Sequence, residues 1–133
     1  MDKLMKRVTG VGGIFFKARD PKKMYEWYER HLGLKREHGS VIFKWREEED
    51  ASKEGSTVWS LFPENTEYFR PSTAPFMVNY RVENLDALLE ALHAEGVTID
   101  PKRESYEYGR FAWIIDPEGN RIELWEPPPK KTP

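Results

Sequence analysis

Apolar residues recur at three- and four-residue spacing in two stretches of the chain, a pattern that predicts amphipathic helices. The first predicted helix begins after the N-cap Asp20, with Pro21 in its first turn, and ends at Gly33. The second begins after the N-cap Asn84 and ends at Gly96. The expected buried stripes are Met24, Trp27, Tyr28, His31 and Leu32 in the first helix, and Leu85, Leu88, Leu89 and Leu92 in the second.

Short runs of apolar or alternating residues lie on both sides of each predicted helix and predict β-strands. One run, Thr9–Ala18, precedes the first helix, and another, Pro75–Val82, precedes the second. Three runs follow the first helix, at Leu34–Glu37, Val41–Arg46 and Thr57–Phe62. After the second helix, Phe111–Ile115 and Ile122–Trp125 flank the turn residues Asp116–Asn120, which predicts a β-hairpin.

The two predicted helices mark an internal repeat. Their N-caps, Asp20 and Asn84, are 64 residues apart, and their terminating glycines are 63 residues apart. With a strand before each helix and short strands after it, this repeat indicates two copies of one β-α-β-β-β unit in an α+β fold. The predicted single domain spans residues 1–133, with modules at 7–63 and 74–127 and a flexible tail at 128–133. Each helix covers one face of its own strands, so the other face must line a cavity, pack on a partner or contact water.

Composition and charge exclude several classes of function. The 133 residues include no cysteine, so disulfides, thiolate catalysis and cysteine-based zinc sites are excluded. The net charge of −2 gives no overall field that favours nucleic acid or an anionic membrane. No apolar run has the length of a transmembrane helix or the character of a signal peptide. We therefore expect a cytoplasmic protein that binds neither nucleic acid nor membrane.

Side-chain alternation assigns residues of two predicted strands to opposite sheet faces, because successive residues of a strand point to opposite sides. In the last strand, Ile122 and Leu124 point to one face. In Pro75–Val82, Phe76 and Tyr80 point to the face that the helices cover. The residues that point the other way are Met77, Asn79, Arg81, Arg121, Glu123 and Trp125. This mixture is typical of a small-molecule site, and equally of a face held by an ion pair of Glu123 with either arginine.

Three segments of the chain resemble signatures of one protein superfamily. DPEGN at Asp116–Asn120, followed by IEL, resembles the C-terminal hairpin of the vicinal oxygen chelate superfamily, which includes glyoxalase I, bleomycin-resistance proteins and extradiol dioxygenases. RDPKKMYEWYERHLGL resembles the first helix of these proteins, and YRVENLDALLEALHAEGV resembles the second. The resemblance implies two βαβββ modules that form one cupped mixed β-sheet, with the helices on its outer face.

The resemblance also bears on metal binding. In metal-using relatives one ligand lies on each of four strands of the concave face, and Glu123 matches the ligand of the last strand. The other matching positions are Gly13, Trp59 and Met77. Glycine has no donor atom, and neither an indole nor a thioether suits a hard or borderline divalent ion. We therefore predict no metal site of this kind and no cofactor, with a divalent metal as the disfavoured alternative.

A small organic molecule, partly aromatic or amphipathic, is the expected ligand. The metal-free bleomycin-resistance branch binds ligands in a groove of this fold, often at a dimer interface, and the resemblance implies the same role here. The residues expected to contact the ligand are Trp59, Met77, Asn79, Arg81, Arg121, Glu123 and Trp125. The apolar surface that two such modules leave uncovered also predicts a homodimer.

Two alternatives stay open. The first is an enzyme of the superfamily, a lyase, isomerase or dioxygenase, with Glu123 as a metal ligand or as the catalytic acid–base residue. In that case Tyr106, Tyr108 or Arg110 on the neighbouring segment would supply a second titratable group. The second alternative is an interaction module whose concave face is closed by another subunit and holds no ligand.

Overall fold

The computed structural model describes residues 6–129, which form seven strands and two helices. In chain order these are β1 (Val8–Ala18), α1 (Pro21–Leu32), β2 (Val41–Arg46), β3 (Glu54–Pro63), β4 (Phe76–Val82), α2 (Leu85–Ala94), β5 (Thr98–Tyr106), β6 (Gly109–Ile115) and β7 (Arg121–Glu126). In this part of the chain neither helix has the length and apolar character needed to cross a membrane. Residues 130–133 of the predicted flexible tail lie outside the described residues.

All seven strands belong to one mixed sheet in the order β2-β3-β1-β4-β7-β6-β5. In each half the strand before the helix pairs in parallel with the last strand of its module, β1 with β3 and β4 with β7. The two halves join at the centre through the antiparallel pair β1–β4. The repeated pairings confirm the predicted internal repeat and the α+β fold class.

The first helix begins and ends where the sequence predicts, but it buries a different face. The Asp20 carboxylate accepts a hydrogen bond from the Lys23 amide at 3.2 Å, and Gly33 ends the helix with φ of 71°. Tyr25 is the buried residue of α1, and its hydroxyl accepts the Leu61 amide hydrogen at 2.8 Å. Trp27 is 52% and Leu32 60% exposed, and His31 is exposed as well. The predicted stripe is therefore wrong at these three positions, and the buried face is shifted toward Tyr25.

The second helix matches its prediction more closely. Asn84 caps it by accepting a hydrogen bond from the Ala87 amide at 3.1 Å. Its leucines pack on the sheet with Val82, Ala112 and Leu124 in one buried cluster. The buried residues of this cluster are all aliphatic, whereas the buried cluster under the first helix includes the aromatic Tyr25 and Trp59.

The segment 34–37, predicted as a strand, makes only a single bridge between Glu37 and Ser40. Between them His38 and Gly39 adopt positive φ angles of 54° and 91°. This tight turn folds the segment back on itself, so it does not extend along β2. The first module therefore contributes three strands to the sheet and the second contributes four.

The connector between the modules, residues 64–75, lies on the sheet face opposite the helices, which we call the concave face. Phe69 is 1% exposed there and belongs to a buried aromatic cluster. The other buried members of that cluster are Phe15, Met77, Phe111 and Trp113. The part of the concave face that these residues occupy is therefore filled by the chain's own connector.

Candidate functional site

A row of paired residues crosses the concave face at the level of Glu123. From β3 to β6 the partners are Val58, Gly13, Asn79, Glu123 and Trp113. We call this the Glu123 row. Because these residues sit side by side in register, their side chains meet on one face.

The Glu123 carboxylate accepts three hydrogen bonds from the chain itself. Asn79 Nδ2 donates to Oε1 at 2.6 Å, while Trp113 Nε1 donates to Oε2 at 3.0 Å. The Tyr68 hydroxyl also donates to Oε2. The carboxylate is 2% exposed, and burial raises the pKa of Glu123 above its ordinary range, although the three donors oppose that shift. Burial, followed by the nearby Glu123 charge, raises the pKa of the Tyr68 phenol.

Arg121 holds the connector against the sheet. Its Nη1 donates to the Tyr68 carbonyl at 2.6 Å, and its Nη2 lies 3.3 Å from the Asp100 carboxylate. The guanidinium also lies over the Trp113 ring, 4.7 Å from the ring centroid. The expected concave position of Arg121 is observed, but its two terminal nitrogens are already bonded to the protein.

Glu123 does not need an ion pair with Arg81 or Arg121, because three uncharged groups already donate hydrogen bonds to its carboxylate. Sequence reasoning did not connect Tyr68 and Phe69 with the site. The available signal was two adjacent aromatic residues within an otherwise polar connector. Two buried polar atoms still lack a hydrogen-bond partner within residues 6–129, Asn79 Oδ1 and Arg121 Nε.

Trp59 does not lie on the concave face, so its expected position is wrong. It pairs with Ile14 on β1, and its side chain lies in the buried cluster under α1. There its ring packs on Tyr28 and Tyr25, with centroid distances of 4.7 and 5.9 Å. The cause is a shift of one residue in the assumed match between β3 and β7, which reverses the face of every side chain.

The strand register identifies Ser60 as the counterpart of Glu123. Phe15 and Asn79 each lie five residues before a helix N-cap, and they pair with Ser60 and Glu123 respectively. The Ser60 hydroxyl makes a hydrogen bond with Ser40 at 2.6 Å. No group of three or more His, Cys, Asp or Glu residues suited to a metal exists within the described range 6–129. One carboxylate with three protein donors does not fit the divalent metal of the metal-using relatives.

The three residues proposed as acid–base partners on the neighbouring segment do not reach Glu123. Arg110 pairs with Asp86 at 2.7 Å, near the start of α2. Tyr106 and Tyr108 stack on each other with centroids 5.1 Å apart, and both are exposed. The titratable neighbour that the structure supplies instead is Tyr68.

A second row, which we call the Arg81 row, crosses the concave face beside the first. Its partners are Gly10, Arg81, Trp125 and Phe111. The Arg81 guanidinium lies 4.9 Å from the centroid of Trp125 and 5.5 Å from that of Trp45. Trp125 stacks on Phe111 with an interplanar angle of 3°. Partial burial lowers the pKa of Arg81, and a pocket of about 560 Å³ opens beside it.

Comparison with known families identifies the fold. The family model for the Glyoxalase/Bleomycin resistance protein/Dioxygenase superfamily matches residues 11–124. The chain belongs to this superfamily. This confirms the resemblance to vicinal oxygen chelate proteins that the sequence motifs indicated. Comparison with curated protein sequences found no match.

Several solved structures share this fold at low identity. Methylmalonyl-CoA epimerase from Mycobacterium tuberculosis is 23% identical, with a TM-score of 0.60 over 97% of this chain and 94% of that one. A Streptomyces coelicolor methylmalonyl-CoA epimerase variant in complex with 2-nitronate-propionyl-CoA is 15% identical, with a TM-score of 0.67 over 92% and 99%. An NAD-dependent benzaldehyde dehydrogenase structure from Legionella pneumophila is 15% identical, with a TM-score of 0.56 over 87% and 98%. These similarities establish the fold alone.

Proposed function

We propose that this vicinal oxygen chelate protein binds a small organic molecule on its concave face without the divalent metal of its metal-using relatives. The observation that carries the proposal is that the Glu123 carboxylate is already hydrogen-bonded to the protein. Both of its carboxylate oxygens accept hydrogen bonds from Tyr68, Asn79 and Trp113. A metal would have to displace these donors, and no group of three or more His, Cys, Asp or Glu residues suited to a metal lies within residues 6–129.

The ligand is expected at the Arg81 row, because this part of the concave face opens to a pocket. Of the predicted ligand residues, Arg81 and Trp125 are partly exposed, and Arg81 lines the pocket. Met77 and Asn79 are only 1% and 2% exposed, so they are buried beneath the surface of the site. Small-molecule sites combine apolar and aromatic walls with a few polar groups, and pocket volumes of about 300–1,000 Å³ are usual.

Three measurements on protein purified without a histidine tag test this proposal. Elemental analysis should find far less than one Zn, Fe, Mn or Ni per chain, and added metal should not alter thermal unfolding. A metabolite screen monitored by two-dimensional ¹H–¹⁵N NMR should identify compounds that shift the indole signals of Trp45 and Trp125. About one metal per chain that is lost on Glu123→Ala would contradict the proposal.

A second candidate is an enzyme in which Glu123 exchanges a proton with substrate. Two observations favour it, the raised pKa of a buried carboxylic acid and its hydrogen bond to the Tyr68 phenol. Substrate would reach Glu123 only after Tyr68 and Phe69 move away. Turnover of an identified ligand, abolished by Glu123→Gln while binding persists, would favour the enzyme over the binding protein.

The partner proposed for the outer face is a second copy of the chain. Three apolar side chains of the central strands are exposed between the two helices, Val11, Ile14 and Phe76, at 40%, 41% and 44%. Adjacent exposed apolar residues of this kind are typical of an interface. We propose a cytoplasmic homodimer that uses this surface, which leaves the concave face free for ligand.

A further inference from the structure

We infer that the ligand of the Arg81 row is a planar organic carboxylate, held by the Arg81 guanidinium with its ring system on Trp45 and Trp125. The inference deepens the proposed function and rests on it. It adds Trp45, which the sequence patterns did not connect with the site. It also names the chemical class of ligand that suits the pocket beside Arg81, which we call the recess.

Glycines allow the Trp45 ring to lie flat against the sheet. A Cβ atom at Gly55 would come within 2.3 Å of the Trp45 ring, and one at Gly10 within 2.4 Å. Such distances are far below van der Waals contact, so any other residue would push the ring away. Trp45 Nε1 donates to the Thr57 hydroxyl at 2.8 Å, which fixes the ring orientation. The ring is therefore held in place by this contact and by the glycines on either side.

A third glycine makes room on the other side of Arg81. A Cβ at Gly12 would lie 2.9 Å from Arg81 Cγ and 3.0 Å from the Trp125 ring. Trp125 Nε1 donates to the Tyr108 carbonyl at 2.8 Å. Both indole N–H groups are engaged with the protein. A ligand at Arg81 would therefore contact the ring atoms of Trp45, which lines the pocket, and of Trp125.

Arg81 is the polar group that the recess presents. Within residues 6–129 no carboxylate lies within 4.0 Å of its guanidinium. Burial opposes its charge, and an anion bound there would offset that cost. A guanidinium pairs with two coplanar oxygens, which is the geometry of a carboxylate. Contact with flanking aromatic rings leaves its N–H groups able to donate in its own plane.

The charges around the pocket favour an anion of low charge. Among the residues 6–129 that line it are Lys44, Arg46 and Arg81 and a single carboxylate, Glu54, which lies 3.6 Å from Arg46. On the other side, Glu47 acts on Arg81 electrostatically and is itself 3.8 Å from Lys6. Since Glu47 repels a dianion more than a monoanion, a carboxylate suits the site better than a phosphate monoester.

Titration with 2-naphthoate tests the inference, and the uncharged 2-naphthamide provides the matched control. The readout is two-dimensional ¹H–¹⁵N NMR of the indole N–H groups and of Arg81 Nε–H. We expect 2-naphthoate to shift the signals of Trp45, Trp125 and Arg81, and to bind at least about tenfold more tightly than the amide. The indole signal of Trp59, on the other side of the sheet, should stay unchanged.

Two variants assign the binding to the recess. Arg81→Gln should weaken 2-naphthoate binding about tenfold or more and leave the amide unaffected. Arg30→Gln makes the same change of charge at an exposed position on α1 and should leave both affinities unchanged. Gly55→Ala should displace the Trp45 ring and weaken both ligands while Arg81 is retained. The NMR spectrum of each variant verifies that it is folded.

The outcomes separate this inference from the proposed function. Equal affinity for 2-naphthoate and 2-naphthamide, or full affinity in Arg81→Gln, would overturn the carboxylate assignment. Failure of both probes would overturn it as well. If an uncharged or cationic metabolite then shifts the Trp45 and Trp125 signals, the proposed function stands without the carboxylate. If no compound in the screen shifts them, the proposed function fails too.

Discussion

The Tyr68 hydroxyl donates a hydrogen bond to the Glu123 carboxylate, across the concave face from the connector to β7. The two residues are 55 positions apart in the sequence. Through this bond the connector between the modules covers Glu123, the residue that matches a metal-coordinating side chain of the metal-using relatives. Glu123 is therefore satisfied by the protein, and the open part of the face lies at the Arg81 row.

Replacing Tyr68 with Phe should destabilise the protein by about 1–3 kcal/mol, because a buried carboxylate loses one of its three donors. The aromatic ring, which stacks on Phe62 with centroids 5.5 Å apart, is retained. Urea unfolding monitored by circular dichroism measures the change. Tyr108→Phe is the matched control, since Tyr108 is 58% exposed, and it should change stability by less than about 0.5 kcal/mol. Equal effects of the two substitutions would contradict the assigned role of Tyr68.

The features predicted correctly from the sequence are those set by local interactions. Asp20 and Asn84 cap their helices through their own side chains, and Gly33 and Gly96 adopt the positive φ angles that end them. These effects depend on a few neighbouring residues, so the repeat that they mark could be recognised without a structure. The second helix was also predictable because its four leucines recur at helical spacing and pack on one side.

The features that could not be predicted depend on register and on contacts between distant segments. Trp59 was placed on the wrong face because a match that is one residue out of register reverses the side-chain direction along a whole strand. Tyr68 meets Glu123 only after the connector folds across the sheet, and no spacing in the sequence encodes that path. Trp45 reaches Arg81 only because Gly10 and Gly55, on two other strands, leave room for its ring.

The stability contribution of Glu123 should depend on pH with a defined sign. Because burial raises its folded-state pKa above the ordinary value of 4.5, the folded protein binds this proton more tightly than the unfolded chain does. The free energy of unfolding therefore falls as the pH rises from the ordinary pKa through the folded-state pKa. Glu123→Gln removes this titration. The stability of wild type relative to the variant should be greatest in acid and decrease as the pH rises, as measured by urea unfolding at several pH values.

Asp116→Asn supplies a control of opposite sign. Hydrogen bonds from the Asn120 side chain and amide lower the pKa of Asp116 below its ordinary value of 3.8. Its contribution is therefore present above that value and is lost as the pH falls through the folded-state pKa. If the two variants showed the same direction of pH dependence, the assigned shift of Glu123 would be wrong.

Ile14→Glu should dissociate the proposed homodimer, because it places a charge at the centre of the exposed apolar surface between the helices. Analytical ultracentrifugation should show wild type near twice the chain mass of 15.7 kDa and the variant near the chain mass itself. Leu32→Glu introduces the same charge at a more exposed apolar residue near the end of α1 and should leave the dimer intact. A monomeric wild type at all concentrations would contradict the prediction.

Trp59→Phe should reduce stability without changing ligand binding, whereas Trp125→Phe should weaken ligand binding. Trp59 is 8% exposed and packs under α1, so its replacement leaves a cavity and should cost about 1–3 kcal/mol without changing the affinity for 2-naphthoate. Trp125 is partly exposed and lies 4.9 Å from the Arg81 guanidinium, so its replacement should weaken binding several-fold. Calorimetric titration and urea unfolding of both variants test this. A loss of affinity in Trp59→Phe equal to that in Trp125→Phe would mean that the ligand does not bind at the Arg81 row.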